Sequence, residues 1–222
     1  MNAPITPQEF RQAAGVEDWR IIGEGACAYF RTGSFEAGAR LVGAISRLAG
    51  IGPSQPDVDV RHDGVTVRLV TYTADHFGIG TRDVELARQI SILARELGLE
   101  PDPSAVQTVL VIPGSPNPPA VMPFWRALLG YEPRADSPDE DLVDPRGRGP
   151  AFWFERMHQP RPEGGGAIHI AVWLPYEQAE ARIAAALAAG GRMVRDEFAP
   201  AWWTLADPAG NEADISTAES RD

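Results

Sequence analysis

Trp203-Thr204-Leu205-Ala206-Asp207-Pro208-Ala209-Gly210-Asn211-Glu212 reads as a strand running into a tight turn. Asp-Pro opens such a turn, and Gly-Asn tolerates the positive φ values that close it. A strand over Ala213 to Ser216 completes the hairpin. Working backward, Ala167 to Leu174 is an apolar strand, Tyr176 to Ala189 a helix closed by Gly190-Gly191, and Met193 centres a further short strand. The same order occurs once before. Val106 to Ile112 is a strand, Pro119 to Leu129 a helix ended by Gly130, and short strands follow around Tyr131, Leu142 and Ala151 to Met157. Two β-α-β-β-β units in succession, joined across the Gly164-Gly165-Gly166 loop, narrow the fold sharply.

Upstream of these units, Leu99 to Ser104 holds Pro101 and Pro103 in an acidic, turn-rich hexapeptide, which is the composition of a linker. The chain thus divides into a domain over residues 1–98, a linker over 99–104 and a domain over 105–222. In the first domain, Thr6-Pro7-Gln8-Glu9 is a capping box with Pro at the first helical position. Trp19 to Ile22 and Ala26 to Thr32 read as paired strands around Gly23-Glu24-Gly25. Ser34 caps a helix over Phe35 to Ala49, with Leu41, Ile45 and Leu48 at helical spacing and Gly50 at its end. Val58 to Arg61 and Val65 to Thr71 alternate around Asp63-Gly64, a hairpin signal. Thr81 caps a helix through Leu97, in which Val84, Leu86, Ile90 and Leu93 form a buried stripe. The first domain is therefore αββαββα, followed by the paired βαβββ units, and the fold class is α+β.

Composition excludes several functions. The formal charge is −11, from 20 basic and 31 acidic residues, and phosphate backbones repel such a surface, so nucleic acid is not an expected partner. Met1 to Gln12 lacks the apolar run of a signal peptide, and the apolar runs elsewhere are too short to span a bilayer. Cys27 is the only cysteine, so neither an intrachain disulfide nor a Cys-x-x-Cys metal site can form. The expectation is a cytoplasmic protein with no membrane partner, acting on a small molecule or assembling with copies of itself.

Three segments of the second domain resemble the glyoxalase, or vicinal-oxygen-chelate, superfamily, which includes bleomycin-resistance-like proteins. Phe124-Trp125-Arg126-Ala127-Leu128-Leu129-Gly130-Tyr131 matches the first helix and following strand, and Ala167-Ile168-His169-Ile170-Ala171-Val172 the histidine-bearing strand. The stretch from Trp203 to Glu212 matches the closing hairpin. The resemblance implies a single divalent metal (Zn, Ni, Fe, Co or Mn) held by Gln107, Glu155, His169 and Asp214. It also implies a lyase, isomerase or dioxygenase in which Glu155 or Asp214 doubles as general base. Members without metal bind and sequester small molecules instead. Trp153, Trp173, Trp202 and Trp203 fall on strands; rings that line the site, Trp153 and Trp173 among them, suit a planar or hydrophobic ligand. Packing between sheet and helices is the other role open to them.

The first domain, over residues 5 to 98, resembles the pterin-4a-carbinolamine dehydratases. That family carries a His-His-Pro turn, a hairpin ending in Thr-His, and a Gly-Leu-Thr-x-x-Asp helix start. This chain reads Ser54-Gln55-Pro56, Thr71-Tyr72 and Gly78-Ile79-Gly80-Thr81-Arg82-Asp83 in the same frame. Dehydration of a carbinolamine needs a general acid and a base titrating near neutrality, and Ser54 and Gln55 supply neither. A degenerate ligand-binding site of Ser54, Gln55 and Pro56 is expected, with His62, Tyr72 and Asp83 as the remaining catalytic candidates. Asp83 also suits the first turn of a helix, where the helix dipole favours a carboxylate. Three functions follow: a metal-dependent glyoxalase-type enzyme, a non-catalytic ligand-binding protein, and a residual 4a-hydroxytetrahydrobiopterin dehydratase. In each a homodimer or higher homo-oligomer is expected, because the exposed strand edges need covering.

Overall fold

The computed structural model describes residues 2–23, 25–48, 56–73, 76–157, 168–206 and 212–221. Ser54, Gln55, the glycine loop at 164–166 and the turn at 207–211 lie outside the described residues. The chain forms two compact units, Met1–Val106 with Ala218–Asp222, and Gln107–Thr217.

The first unit opens with α1 (Pro7–Gln12), whose capping box is complete: the Glu9 N–H donates to Thr6 Oγ1 at 3.1 Å, and the Thr6 N–H to Glu9 Oε2 at 2.8 Å. β1 (Arg20–Ile22) and β2 (Gly25–Arg31) pair antiparallel. α2 (Phe35–Ile45) starts at Ser34, whose Oγ accepts from the Ala37 N–H at 3.2 Å, and it ends four residues before the Ala49 expected from sequence. β3 (Asp57–Val60) and β4 (Gly64–Leu69) form the expected hairpin. A second, small hairpin follows, β5 (Thr71–Thr73) with β6 (His76–Gly78), before α3 (Thr81–Glu96). The sheet order is β1-β2-β4-β3, and one face buries Phe10, Trp19, Phe30, Leu41, Val65, Val67 and Ile90 in a single core. The Trp19 indole N–H donates to Ala87 O at 3.2 Å and Ser91 Oγ at 3.0 Å, which satisfies its polar edge inside that core.

Two readings change here. The 99–104 segment is fastened to the first sheet: β7 (Glu100–Pro101) pairs with β2, the Asp102 N–H donates to Tyr29 O at 2.8 Å, and Arg31 Nη2 lies 2.5 Å from Asp102 Oδ2. Its prolines end the strand after two residues without preventing it. The cap of α3 is Gly80, one residue ahead of Thr81. A Cβ on Gly80 would meet Asn2 Oδ1 at 2.2 Å, and that oxygen accepts from the Arg82 N–H at 2.9 Å. The helix therefore borrows its capping oxygen from residue 2. Asn2 is held there by the Thr81 N–H to Ala3 O bond at 2.9 Å and the Ile5 N–H to Ile79 O bond at 3.1 Å.

The second unit runs β8 (Thr108–Ser115), α4 (Pro118–Leu129), β9 (Glu132–Arg134), β10 (Ser137–Val143), β11 (Ala151–Trp153) and β12 (Glu155–Arg156). It repeats the order with β13 (Ile168–Trp173), α5 (Tyr176–Ala188), β14 (Arg192–Arg195), β15 (Trp202–Ala206) and β16 (Glu212–Ser216). Gly130 takes the left-handed conformation, φ 67°, that closes α4. The sheet order β14-β15-β16-β13-β8-β11-β10-β9 sets the two halves edge to edge through antiparallel β8 and β13. Because alternate residues of a strand face opposite ways, the helices identify both faces. Met122 and Trp125 of α4 pack with Val111, Leu142 and Phe152, while Ala179 and Ile183 of α5 pack with Val172, Trp203, Leu205 and Ile215. The register then assigns Leu110, Ile112, Trp153, Ala171, Trp173, Thr204 and Asp214 to the opposite, open face.

Candidate functional site

The open face of the second unit brings together most of the residues singled out in its sequence. Trp153 is 36% exposed and opposite Asp141; Trp173 pairs with Thr108 on one side and Ser216 on the other. Trp202, beyond Ser216, stacks on Phe198 with centroids 4.3 Å apart and planes 15° from parallel. Trp125 and Trp203 instead pack against the helix-side clusters, so the tryptophans divide between the two faces of the sheet. Asp214 is buried, and its Oδ1 accepts from Thr204 Oγ1 at 2.7 Å, its direct cross-strand neighbour. Glu155 pairs with Gly114. Of His169 only the backbone is described, opposite Ile112.

Gln107 does not join this group. It precedes β8 on the parity of Val109 and Val111, which is the helix face, and its Oε1 accepts from Arg182 of α5 at 3.4 Å. One residue of register separates the two faces, so no side-chain rearrangement recovers it. Glu155 and Asp214 are also far apart. Their rows, at Gly114 and Leu110, lie four residues along β8 and three strands across, roughly 13 Å by 14 Å on an unbent sheet. The four-residue set thus does not fit one metal ion. Among the described residues no group of three or more His, Cys, Asp or Glu could hold a metal.

Two acidic residues absent from the sequence candidates stand on the same face. One step back along parallel β13 and β16 from the Ile170–Ala213 pair places Glu212 beside His169; Glu212 lies 3.8 Å from Arg195. Asp141 is 5% exposed, and burial pushes its carboxyl above the usual range against the opposing Ser137 hydrogen bond and Arg134 charge. Arg134 bridges it to Asp136, at 3.4 Å and 2.7 Å. Alternation along β10 and β16 carries both residues to this face, but the pairing that gives them meaning is between strands distant in sequence.

A further cavity lies elsewhere. It is a groove of about 650 Å³ between α4 and the β9–β10 hairpin, on the helix side of the sheet.

In the first unit the degenerate site is dispersed. His62 sits in the exposed β3–β4 turn, paired with Asp63, while Tyr72 lies beyond the far end of β4. The six residues of β4 alone put about 17 Å between them, so His62 lends no imidazole to Tyr72. Tyr72 is 49% exposed and meets Phe77 edge to face at 5.1 Å. His76 falls on β6, diagonal to Tyr72, with Nε2 3.3 Å from Ile79 O. Asp83 is 1% exposed; its Oδ2 accepts from the Gly80 N–H and from Thr71 Oγ1, both at 2.7 Å. Asn2 Nδ2 donates in turn to Thr71 Oγ1 at 2.5 Å. These bonds knit the start of α3 to the chain's beginning, a structural task. Pro56 is half-buried just ahead of β3.

Comparison with known proteins finds two family matches. Residues 3–93 match the family model "Pterin 4 alpha carbinolamine dehydratase", and residues 109–216 match "Glyoxalase-like domain". A protein of Nocardia farcinica (strain IFM 10152), titled "Putative pterin-4-alpha-carbinolamine dehydratase", is 37% identical over 78 residues, 35% of this chain and 80% of the relative. A protein of Mycobacterium leprae (strain Br4923) with the same title is 33% identical over 78 residues, 35% of this chain and 81% of the relative. Among solved structures, a glyoxalase/bleomycin resistance protein/dioxygenase superfamily member from Vibrio splendidus 12B01 matches at TM-score 0.33 and 16% identity, covering 50% of this chain and 99% of that one.

Proposed function

The chain belongs to the pterin-4α-carbinolamine dehydratase family and carries a glyoxalase-like domain behind it, and from that premise we propose that it is a small-molecule-binding protein. The ligand site is the open sheet face of the second unit, and the dehydratase-like unit serves as a binding or dimerisation module. The observation that supports this reading is the placement of Trp153, Trp173 and Trp202 on one face with the carboxylates of Glu155, Glu212 and Asp214. Indole faces stack on planar ligands, and buried or half-buried carboxylates beside them select ring N–H or hydroxyl donors. A metal-dependent lyase, isomerase or dioxygenase would need ligands other than the four expected from sequence. Among the described residues no helix is long and apolar enough to cross a membrane.

Titration of tryptophan fluorescence with a neutral pterin and with 2-naphthol tests the proposal. Saturable quenching is expected, weakened about tenfold, or about 1.4 kcal/mol, in Trp173→Ala. Quenching that neither Trp153→Ala nor Trp173→Ala alters would refute the site.

One second reading is residual dehydratase activity, which membership of that family favours. The register of β5–β6, Tyr72 with Phe77 and Thr73 with His76, sets His76 and Tyr72 on opposite faces of that hairpin. Turnover of a quinonoid-forming pterin carbinolamine that disappears in His76→Ala and survives in His62→Ala would establish it.

A further inference from the structure

Given the open face as the ligand site, on which this inference rests, the Asp141–Trp153 pair decides the charge its ligand carries. The two residues are direct cross-strand neighbours on β10 and β11, so their side chains leave the sheet about 5 Å apart. The indole keeps exposed surface, whereas the carboxylate is buried. On its other side Trp153 stands beside Ile112 of β8, one step beyond the Phe152–Val111 pair, and Ile112 is buried too. One flank of the indole is therefore apolar and the other anionic.

Around Asp141, negative charge outnumbers positive. The groups that act on it are Arg134 of β9, Asp136 of the β9–β10 turn, and Ser137 and Glu140 of β10; from β11 it faces Trp153. The pairing of β9 with β10 slips between Ser137 and Leu142, while β9 advances only from Arg134 to Pro133. That slip gathers two carboxylates around one guanidinium. Asp136 takes the closer contacts, from Arg134 Nε at 2.7 Å and Nη2 at 3.3 Å, in the manner of a two-point clamp. Asp141 is left a contact with Nη2 at 3.4 Å, too long for a good N–H···O bond. All three side chains are more than four-fifths buried, so water and salt screen the imbalance poorly.

A buried carboxylate short of positive charge, next to an exposed indole, favours a ligand that brings the missing charge. Cations sit over indole faces within about 6 Å of the ring, and at that position the charge of Asp141 adds its own attraction. We infer that the open face takes planar organic cations, with a protonated or quaternised ring nitrogen stacked on Trp153 and Asp141 as the residue that selects for charge. The attraction lasts only while Asp141 is ionised. Burial, then Asp136 and Glu140, hold its carboxyl above the usual range against the Ser137 bond and Arg134. Preference for a cation therefore grows as pH rises through that titration.

Tryptophan-fluorescence titration of the full chain with N-methylquinolinium and 1-methylnaphthalene tests this, since the two bicyclic probes share a shape and differ in charge. Saturable quenching is expected from both, with the cation about tenfold tighter at pH 8 and its advantage shrinking towards pH 4. Asp141→Asn keeps the side chain's size and removes its charge; it should bring the two affinities within about twofold of each other and flatten the pH profile of their ratio. The difference between the parent and Asp141→Asn profiles isolates Asp141 from the other carboxylates of the face. Trp153→Leu, at a position with exposed surface, should weaken the cation more than the neutral probe. Equal affinities at pH 8, or a ratio that neither substitution lowers, would overturn the inference and leave the open-face site standing. No saturable quenching by either probe would overturn both.

Discussion

The borrowed cap of α3 makes a prediction whose size follows from the structure. Asn2→Ala removes the oxygen that accepts from the Arg82 N–H at 2.9 Å and the amide that donates to Thr71 Oγ1 at 2.5 Å. Loss of a helix cap costs about 1 kcal/mol, and loss of one further hydrogen bond about 1 kcal/mol. The first unit should therefore open about 2 kcal/mol more easily, a roughly 30-fold larger open population. The only cysteine reports that opening. Cys27 lies on β2, 8% exposed, and burial pushes its thiol up to about 11, so a disulfide reagent such as DTNB reaches it as thiolate only when the unit opens. Labelling near neutral pH should accelerate by that factor. Gly80→Thr supplies the internal control. In the Asn2→Ala background the new hydroxyl sits at the cap position and should recover about 1 kcal/mol. In the parent its Cβ would fall 2.2 Å from Asn2 Oδ1, so the same substitution should speed labelling instead. Labelling of Asn2→Ala within about twofold of the parent, or a Gly80→Thr effect of the same sign in both backgrounds, would refute the reasoning.

Two further outcomes are expected. The fold favours the neutral form of Asp141, whose value burial raises, so its contribution to stability is present at low pH and is lost as pH rises through the folded value. Asp141→Asn should gain on the parent between about pH 3.5 and pH 7, by about 1.4 kcal/mol per unit of upward shift; urea midpoints that keep a constant difference would contradict this. Deleting residues 218–221 removes Ala218 from the first unit's core and Glu219 from its ion pair with Arg11. Labelling of Cys27 should accelerate about tenfold, for a loss of about 1.4 kcal/mol, and an unchanged rate would show that this segment contributes nothing to the first unit.

Much of the architecture was legible because its signals are local. The Thr6–Glu9 box, Ser34, the Asp63-Gly64 hairpin and Gly130 each act within a few residues, and each appears where the sequence places it. The second unit's two βαβββ halves follow from alternation and helical spacing in the same way. The site was legible only in part. Trp153, Glu155, Trp173 and Asp214 share a face because strand parity is local once a strand is known. Gln107 was placed by family resemblance, and the parity it shares with Val109 and Val111 sends its side chain to the helix face instead. His62 and Tyr72 were both catalytic candidates, but β4 carries the chain away between them.

The sequence by itself determined the order of elements, the two-part division and the family resemblances, since these rest on caps, turns and periodicities spanning one turn or one hairpin. Tertiary structure alone decided which residues meet across the sheet, that Asn2 caps a helix 80 residues later, that the 99–104 segment joins the first sheet, and that an open groove flanks α4. The physical reason is that these depend on register and on contacts between distant segments, where a shift of one residue exchanges one face for the other.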